Sequence, residues 1–597
     1  MKKLLILLLA AALCLGTLAA CAGTPAEPGE TTPDASEPLA AYAEDAPVKS
    51  VMVDGTDLAA FHILYSEDDG PSVGNAAAEL GKYIKLATGL DLPVTTDASA
   101  EGKRIAVTTT EEDAESFTIK SDEGGITISG GRTRGALYGV YNFLEDELGW
   151  HFLTVDTEVI DPADAITLDG LDVSYTPYFD FRDIYWSEYF NADISAKRMI
   201  NSNDHRNFPE ELGGGISYAD GYFVHTIGTL GELTDTTKQP CFCDEELYQT
   251  TLKNVMKVLE EQPDADIISI SQLDGGHTEF CRCRDCLKIV REDKCYMGPM
   301  LRFINRIADE VAKEYPDVKI HTLAYLDSQQ TPKVTVPRDN VIVQVCTINC
   351  CFNHPIQTDD YEDNATLMRD LENWCKVCDN VWVWDYTTSF KFYLMPFPNL
   401  NVLRDNMRYF ADNHVKGLFE EGNYNSVNGE FGELRAYLLA RLAQNPYMTD
   451  EEYEEEINTF LKGYYGSAWE KIRAYIDFIQ ACGETRGHFS IYNRYEDVVD
   501  PDMIREKSDW LVTLFDEAEA LADDDKILNH VQRTRVSCDY IRLTVLYDEM
   551  ISSEDENVRN SITEQVRNLR SRIDSFGMRV HESYVTSETI DCNPFDW

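Results

Sequence analysis

The chain has 597 residues, with 105 Asp+Glu against 52 Lys+Arg and a net charge of −53. At about 150 residues per domain this length holds three or four domains, or fewer large ones, and 43% hydrophobic with 26% charged residues is a folded composition. So acidic a chain excludes nucleic acid and anionic membrane surface as partners, because phosphate recognition draws on Lys and Arg.

The N-terminus predicts the compartment. Lys2 and Lys3 precede the apolar run LLILLLAAALCLGTLAA, the form of a signal peptide over residues 1–20. Leu18-Ala19-Ala20-Cys21 resembles a bacterial lipobox, which makes Cys21 the lipidated first residue of the mature chain. Residues 21–47, rich in Pro, Thr, Ala and acids, read as a disordered tether. No later run approaches the roughly 18–20 apolar residues that a membrane span requires. The expectation is a protein at the cell surface, lipid-anchored on the outer side of the cytoplasmic membrane, or secreted.

Three folded regions follow. Residues 48–170 read as a small α/β domain: a strand near Phe61–Tyr65, the helical pattern AAAELGKYIKLATG capped by Gly89, then RIAVTTT, SFTIKS and GITISGG as short strands. The next helix places Leu137, Val140, Tyr141 and Leu144 on one face. Gly130-Gly131-Arg132 lacks G-x-G-x-x-G spacing and reads as a turn.

Residues 175–445 alternate apolar runs (FDFRDIYW, ADIISISQLD, KIHTLAYLD, NVIVQVCTIN, NVWVWDYTT, GLFEEGNYN) with amphipathic helices. Strand-then-helix repetition over this length predicts a (β/α)8 TIM-type barrel. Residues 450–597 read as a helical C-terminal domain whose charges are surface faces, without chemistry of their own.

The strand runs end in polar residues: Asp274, Tyr325 with Asp327, Asp385, and Glu420 with Glu421. In a barrel such ends form the active site. Glycosidic cleavage asks for this chemistry: one carboxylic acid protonates the leaving oxygen, and a second attacks, activates water or steers a substrate acetamide. Trp384, Tyr386, Tyr325 and Trp186 supply rings to stack on a sugar, and His225 and His354 supply hydrogen bonds from strand-end loops.

Sixteen cysteines need an account. Removing Cys14 with the signal and Cys21 by lipidation leaves fourteen, eleven of them between Cys241 and Cys378. An extracellular site favours disulfides or buried thiols. Cys281-x-Cys283-x-x-Cys286, with the pair Cys241 and Cys243, leaves structural zinc as the alternative. Without an H-E-x-x-H pair no catalytic metal is expected, and the chemistry needs no cofactor.

The ordered segments FVHTIGTL, SISQLDGG with CRCRDC, LAYLDSQQTPK, CTINCCFNHPI, VWVWDYTTSF and GLFEEG resemble the bacterial domain-of-unknown-function family 4838, which overlaps glycoside hydrolase family 163. GGRTRGALYGVYNFLEDELGWHF resembles the N-terminal module of hexosaminidases and α-glucuronidases, and FLKGYYGSAWEKI the helical region of that clan. The resemblance implies an endo-β-N-acetylglucosaminidase-like hydrolase with a glycan or glycoprotein substrate, retaining through substrate assistance. It implies Glu420 and Asp274 as the catalytic pair, with Asp385 in support and Glu421 as a binding residue. Asp274 is followed by Gly275 where hexosaminidases carry a Glu. Two alternatives stay open: an inverting α-glucuronidase-like hydrolase with Arg182 pairing a substrate carboxylate, and a surface glycan-binding lipoprotein without catalysis.

Overall fold

The computed structural model describes residues 42–111, 114–275, 279–358 and 360–582. The expected signal peptide, Cys21 and most of the tether lie outside the described residues. Residues before the expected boundary at 48 already pack on the N-terminal domain: the Ala43 N–H donates to the Thr88 carbonyl and the Tyr42 hydroxyl meets Asp57.

The N-terminal α/β domain is a six-stranded mixed sheet covered by the helices Pro71–Thr88 and Gly135–Asn142. Its last strand, Asp172–Tyr175, pairs with Phe117–Asp122, so the domain runs to 175 rather than 170. Gly89 ends the first helix at φ 78° and donates to the Lys85 carbonyl, the left-handed cap its sequence predicts. Leu137, Val140, Tyr141 and Leu144 are all buried. Gly130 sits against the backbone of Gly135 and Ala136, where a Cβ would fall 2.2 Å from a carbonyl carbon, so the glycine run serves a close turn.

The six apolar runs form one parallel sheet. We label its strands β1 (Phe181–Tyr185), β2 (Ile267–Ser269), β3 (Lys319–Ala324), β4 (Val341–Cys346), β5 (Val381–Tyr386) and β6 (Gly417–Glu421). Their order is β1-β6-β5-β4-β3-β2, every pairing parallel. The edges at β1 and β2 are bridged by two short extended segments. Asn201 and Ser202 donate backbone N–H groups to the Arg182 carbonyl, Ser202 pairs with Ile216, and Tyr218 pairs with Ile267.

Side chains alternate across such strands, and the two faces of the sheet bury different cores. Phe181, Ile267, Ile342 and Trp382 cluster with Ile216 and Tyr218 on the concave face. Ile184, Ile268, Val343, Val383 and Leu418 belong to the larger core that includes the surrounding helices. Gly417 is required on the concave face because the Trp382 indole lies 2.4 Å from where a Cβ would stand.

Helices from Asp450–Tyr465 to Glu556–Ser575 form the C-terminal region. Two of its irregular segments return to the sheet. Phe390 donates to the Ile491 carbonyl, Tyr393 to that of Val580, and Glu582 to that of Phe390. No helix among the described residues is long and apolar enough to cross a membrane.

Candidate active site

The concave face is layered from the strand starts to the strand ends. Phe181 stacks on Trp382 with centroids 4.2 Å apart at the bottom. Above them His321 joins Ser269 (Nδ1 to Oγ, 3.0 Å) and Gln344 (Nε2 to Oε1, 2.8 Å). Burial pushes the His321 pKa down to about 4, so the ring is neutral at pH 7 and serves as a fixed polar tie. Phe419, Trp384, Tyr185 and Phe223 close the next layer, with Phe419 lying 4.2 Å from Trp384 and 4.6 Å from Tyr185 by centroid.

Over this aromatic floor the strand ends carry ionisable groups. Glu421, the last residue of β6, accepts a 2.8 Å hydrogen bond from the Trp384 indole. Burial raises its pKa to about 8, Trp384 opposes the rise, and the Glu582 charge adds to it. Glu421 is thus a carboxylic acid at neutral pH, the state a general acid needs. Its charge reaches Tyr325, Tyr386, Cys346, Tyr424 and Tyr492, which surround the same mouth.

Asp274 lies in the irregular stretch that follows β2. Its side chain is 67% exposed, 3.6 Å from His225 Nε2, while His225 Nδ1 meets the Gln272 carbonyl at 2.9 Å. Asp274 acts electrostatically on Tyr325, Tyr492 and Glu582. Glu421, Asp274, Tyr325, Tyr386, Trp384 and His225 therefore gather at one mouth.

Glu420 and Asp385 do not join them. They are register partners on β6 and β5 and face the helices, 1% and 4% exposed. Asp385 accepts from the Thr347 hydroxyl (2.6 Å) and the Tyr386 N–H (3.0 Å), whereas no group among the described residues hydrogen-bonds the Glu420 carboxyl oxygens. Burial pushes both pKa values up, Asp385 to about 6, and the Asp385 charge pushes Glu420 further. Two adjacent buried carboxyls cannot both ionise cheaply, so the pair keeps a proton. The catalytic expectation for Glu420 and Asp385 is corrected on geometry. One residue along the strand reverses the face, and Glu421 takes the inward position.

Three further expectations move. Arg182 points outward, ion-paired with Glu115 and bonded to the carbonyls of Met199 (2.7 Å) and Phe179 (2.5 Å), so it holds the N-terminal domain to the sheet and meets no substrate. Trp186 is fully buried, its indole against Gly422 and its N–H on Thr387 Oγ1 at 3.0 Å. Because Thr387 donates to the Glu421 carbonyl, Trp186 props the strand end and does not stack on a ligand. His354 sits 3.4 Å from Cys351 Sγ and packs on His488.

The mouth also contains residues that no sequence pattern singles out. Tyr424 follows β6, lies 5.5 Å from Tyr185 by centroid and donates to Glu582 at 3.4 Å. Tyr492 and Glu582 come from the helical C-terminal region and interact electrostatically with Glu421 and Asp274. Tyr185 meets His205 at 3.0 Å across the rim. None of the thirteen described cysteines is in a disulfide. Two groups have metal-ligand spacing: Cys241, Cys281, Cys283 and Cys286, and Cys351, His354 and His488.

Residues 152–477 match the family described as Domain of unknown function (DUF4838), and the chain belongs to that family. No curated protein matches it. Among solved structures the chain is similar to a "GH138 enzyme targeting pectin rhamnogalacturonan II" (11% identity, TM-score 0.48, 90% of this chain and 96% of that one). It is also similar to the glycoside hydrolase family 84 proteins CpGH84B (11% identity, TM-score 0.44, 89% and 96%) and CpGH84D (9% identity, TM-score 0.49, 89% and 92%).

Proposed function

We propose that the chain is a glycoside hydrolase acting on N-acetylhexosamine-containing glycans, its site at the mouth of a (β/α)8 barrel completed by the segments around 201–203 and 216–218. The observation that carries this reading is Glu421: an inward-facing carboxyl held protonated at neutral pH, over an aromatic floor and ringed by tyrosines. The family 163 resemblance supplies the substrate class, and the lipobox at Cys21 an anchor outside the cell.

In this mechanism Glu421 protonates the glycosidic oxygen as the bond to the anomeric carbon breaks. The 2-acetamido oxygen attacks that carbon, and Asp274, steadied by His225, orients the amide and balances its developing positive charge. Water then opens the cyclic intermediate, giving its proton to the Glu421 carboxylate, with net retention. Trp384 positions Glu421, and Tyr325 and Tyr386 border the sugar.

Release of glycan from N-glycoproteins, or of the aryl group from aryl N-acetylglucosaminides, tests the reading. Turnover of either is expected, and turnover of neither by the folded protein overturns it. The exposure of Asp274 favours one second reading, glycan capture without cleavage. Glu421→Gln separates the two: both predict retained binding, and only the hydrolase has activity to lose.

A further inference from the structure

We propose that Cys241, Cys281, Cys283 and Cys286 form a tetrathiolate site for one divalent thiophilic metal ion, Zn2+, and that this site is structural and independent of the hydrolase reading. The four sulfurs lie within 4.8 Å of one another. Cys241 Sγ is 3.7 Å from both Cys283 Sγ and Cys286 Sγ. A tetrahedral zinc with Zn–S bonds of about 2.3 Å sets its sulfurs about 3.8 Å apart, whereas a disulfide needs about 2.05 Å. The observed separations fit a shared ion and exclude bonded sulfur pairs.

The local backbone supports the same assignment. Cys283 caps the helix Arg284–Asp293, and its sulfur accepts the Cys286 N–H at 3.4 Å, which fixes two of the four sulfurs on one helix start. Cys241 lies in an irregular segment and Cys286 in the first turn of that helix, and among the described residues no strand pairing joins the two, so a cross-link between them adds order. Cys243 is a fifth thiol, 3.4 Å from Cys286 and outside the mutually close four, so it is not a ligand. Binding displaces a proton from each of the four thiols and leaves the ion four-coordinate, with no open position for substrate.

The site braces the rim that carries Asp274. Two residues before Cys241, the Gln239 side chain donates to the Leu273 carbonyl at 2.9 Å and accepts the Leu273 N–H at 3.0 Å. The Gln239 N–H also donates to the Glu279 carbonyl at 3.2 Å. A metal beside this clamp steadies Gln239 and, through it, Leu273 and Glu279.

The test is metal content and cobalt exchange on the full chain. About one zinc per chain should survive gel filtration, and replacement by Co2+ should give the intense thiolate-to-cobalt charge-transfer absorption of a tetrahedral sulfur site. Cys243→Ser should keep both signals, and Cys283→Ser should lose them. Absence of bound zinc with no cobalt band in the folded wild type overturns the proposal. So does a disulfide among these cysteines in the mass of a peptide map, or a cobalt band that survives Cys283→Ser.

Discussion

Two neighbouring glutamates at the end of one strand have opposite surroundings. Glu421 looks inward, with an indole donor on its carboxyl, tyrosines around it and an aspartate across the mouth. Glu420 looks outward into the helical layer, with no hydrogen-bond donor among the described residues and a second carboxyl as its partner. Both are pushed toward the protonated form by burial. A raised pKa alone therefore does not mark the acid that works; what a ligand can reach does.

The largest expected effect tests that contrast directly. Glu421→Gln should lower kcat by about 10²–10⁴-fold while glycan binding persists, because the amide fills the same space without the proton. Glu420→Gln should leave kcat within a few-fold. Steady-state kinetics of the two variants checks both, and the reverse pattern would place the chemistry on the outer face.

A second effect appears in the pH profile. With the free-enzyme acid at about 8, kcat/KM should fall as pH rises through that value. Glu582→Gln removes a charge that disfavours ionised Glu421, so the alkaline limb should move to lower pH. Trp384→Phe removes a donor that favours ionised Glu421, so the limb should move to higher pH. Shifts of the same sign in the two variants would detach the limb from Glu421.

The smallest effect is on stability. Glu420 has a folded pKa above its unfolded value, so the folded state holds a proton that the unfolded chain gives up. That contribution is fully present below the unfolded pKa of about 4.3 and is lost as pH rises toward the folded value. Glu420→Gln should thus raise Tm by about 1–2 °C near pH 8 and by less near pH 4. Thermal melts at the two pH values check the sign.

Much of this arrangement was legible from residues alone. All six apolar runs form strands of the parallel sheet; Asp385 and the Glu420-Glu421 pair lie at strand ends and Tyr325 directly follows one, whereas the strand before Asp274 stops at Ser269. Facing was harder to read. In GLFEEG either acid can be the inward one, and only the register that sets Phe419 against Trp384 and Tyr185 decides it. The bridging segments near 202 and 218 are single pairings, too short to leave a periodic pattern. Tyr492 and Glu582 had no local signal because their role depends on where the helical region docks. The cysteine spacing offers zinc as an alternative to disulfides, and the sulfur separations are the observation on which that proposal rests.

The docking of 578–582 onto the loop after β5 has a consequence for the order of assembly. Glu582 lies beyond every helix of the described residues, yet its charge adds to the rise that burial gives the Glu421 pKa, and it accepts from the Tyr424 hydroxyl. The strands of the parallel sheet can pair before that residue docks. The mouth then has its strand ends in place, while the Glu582 contribution to the Glu421 proton affinity arrives only with the docking of this last segment.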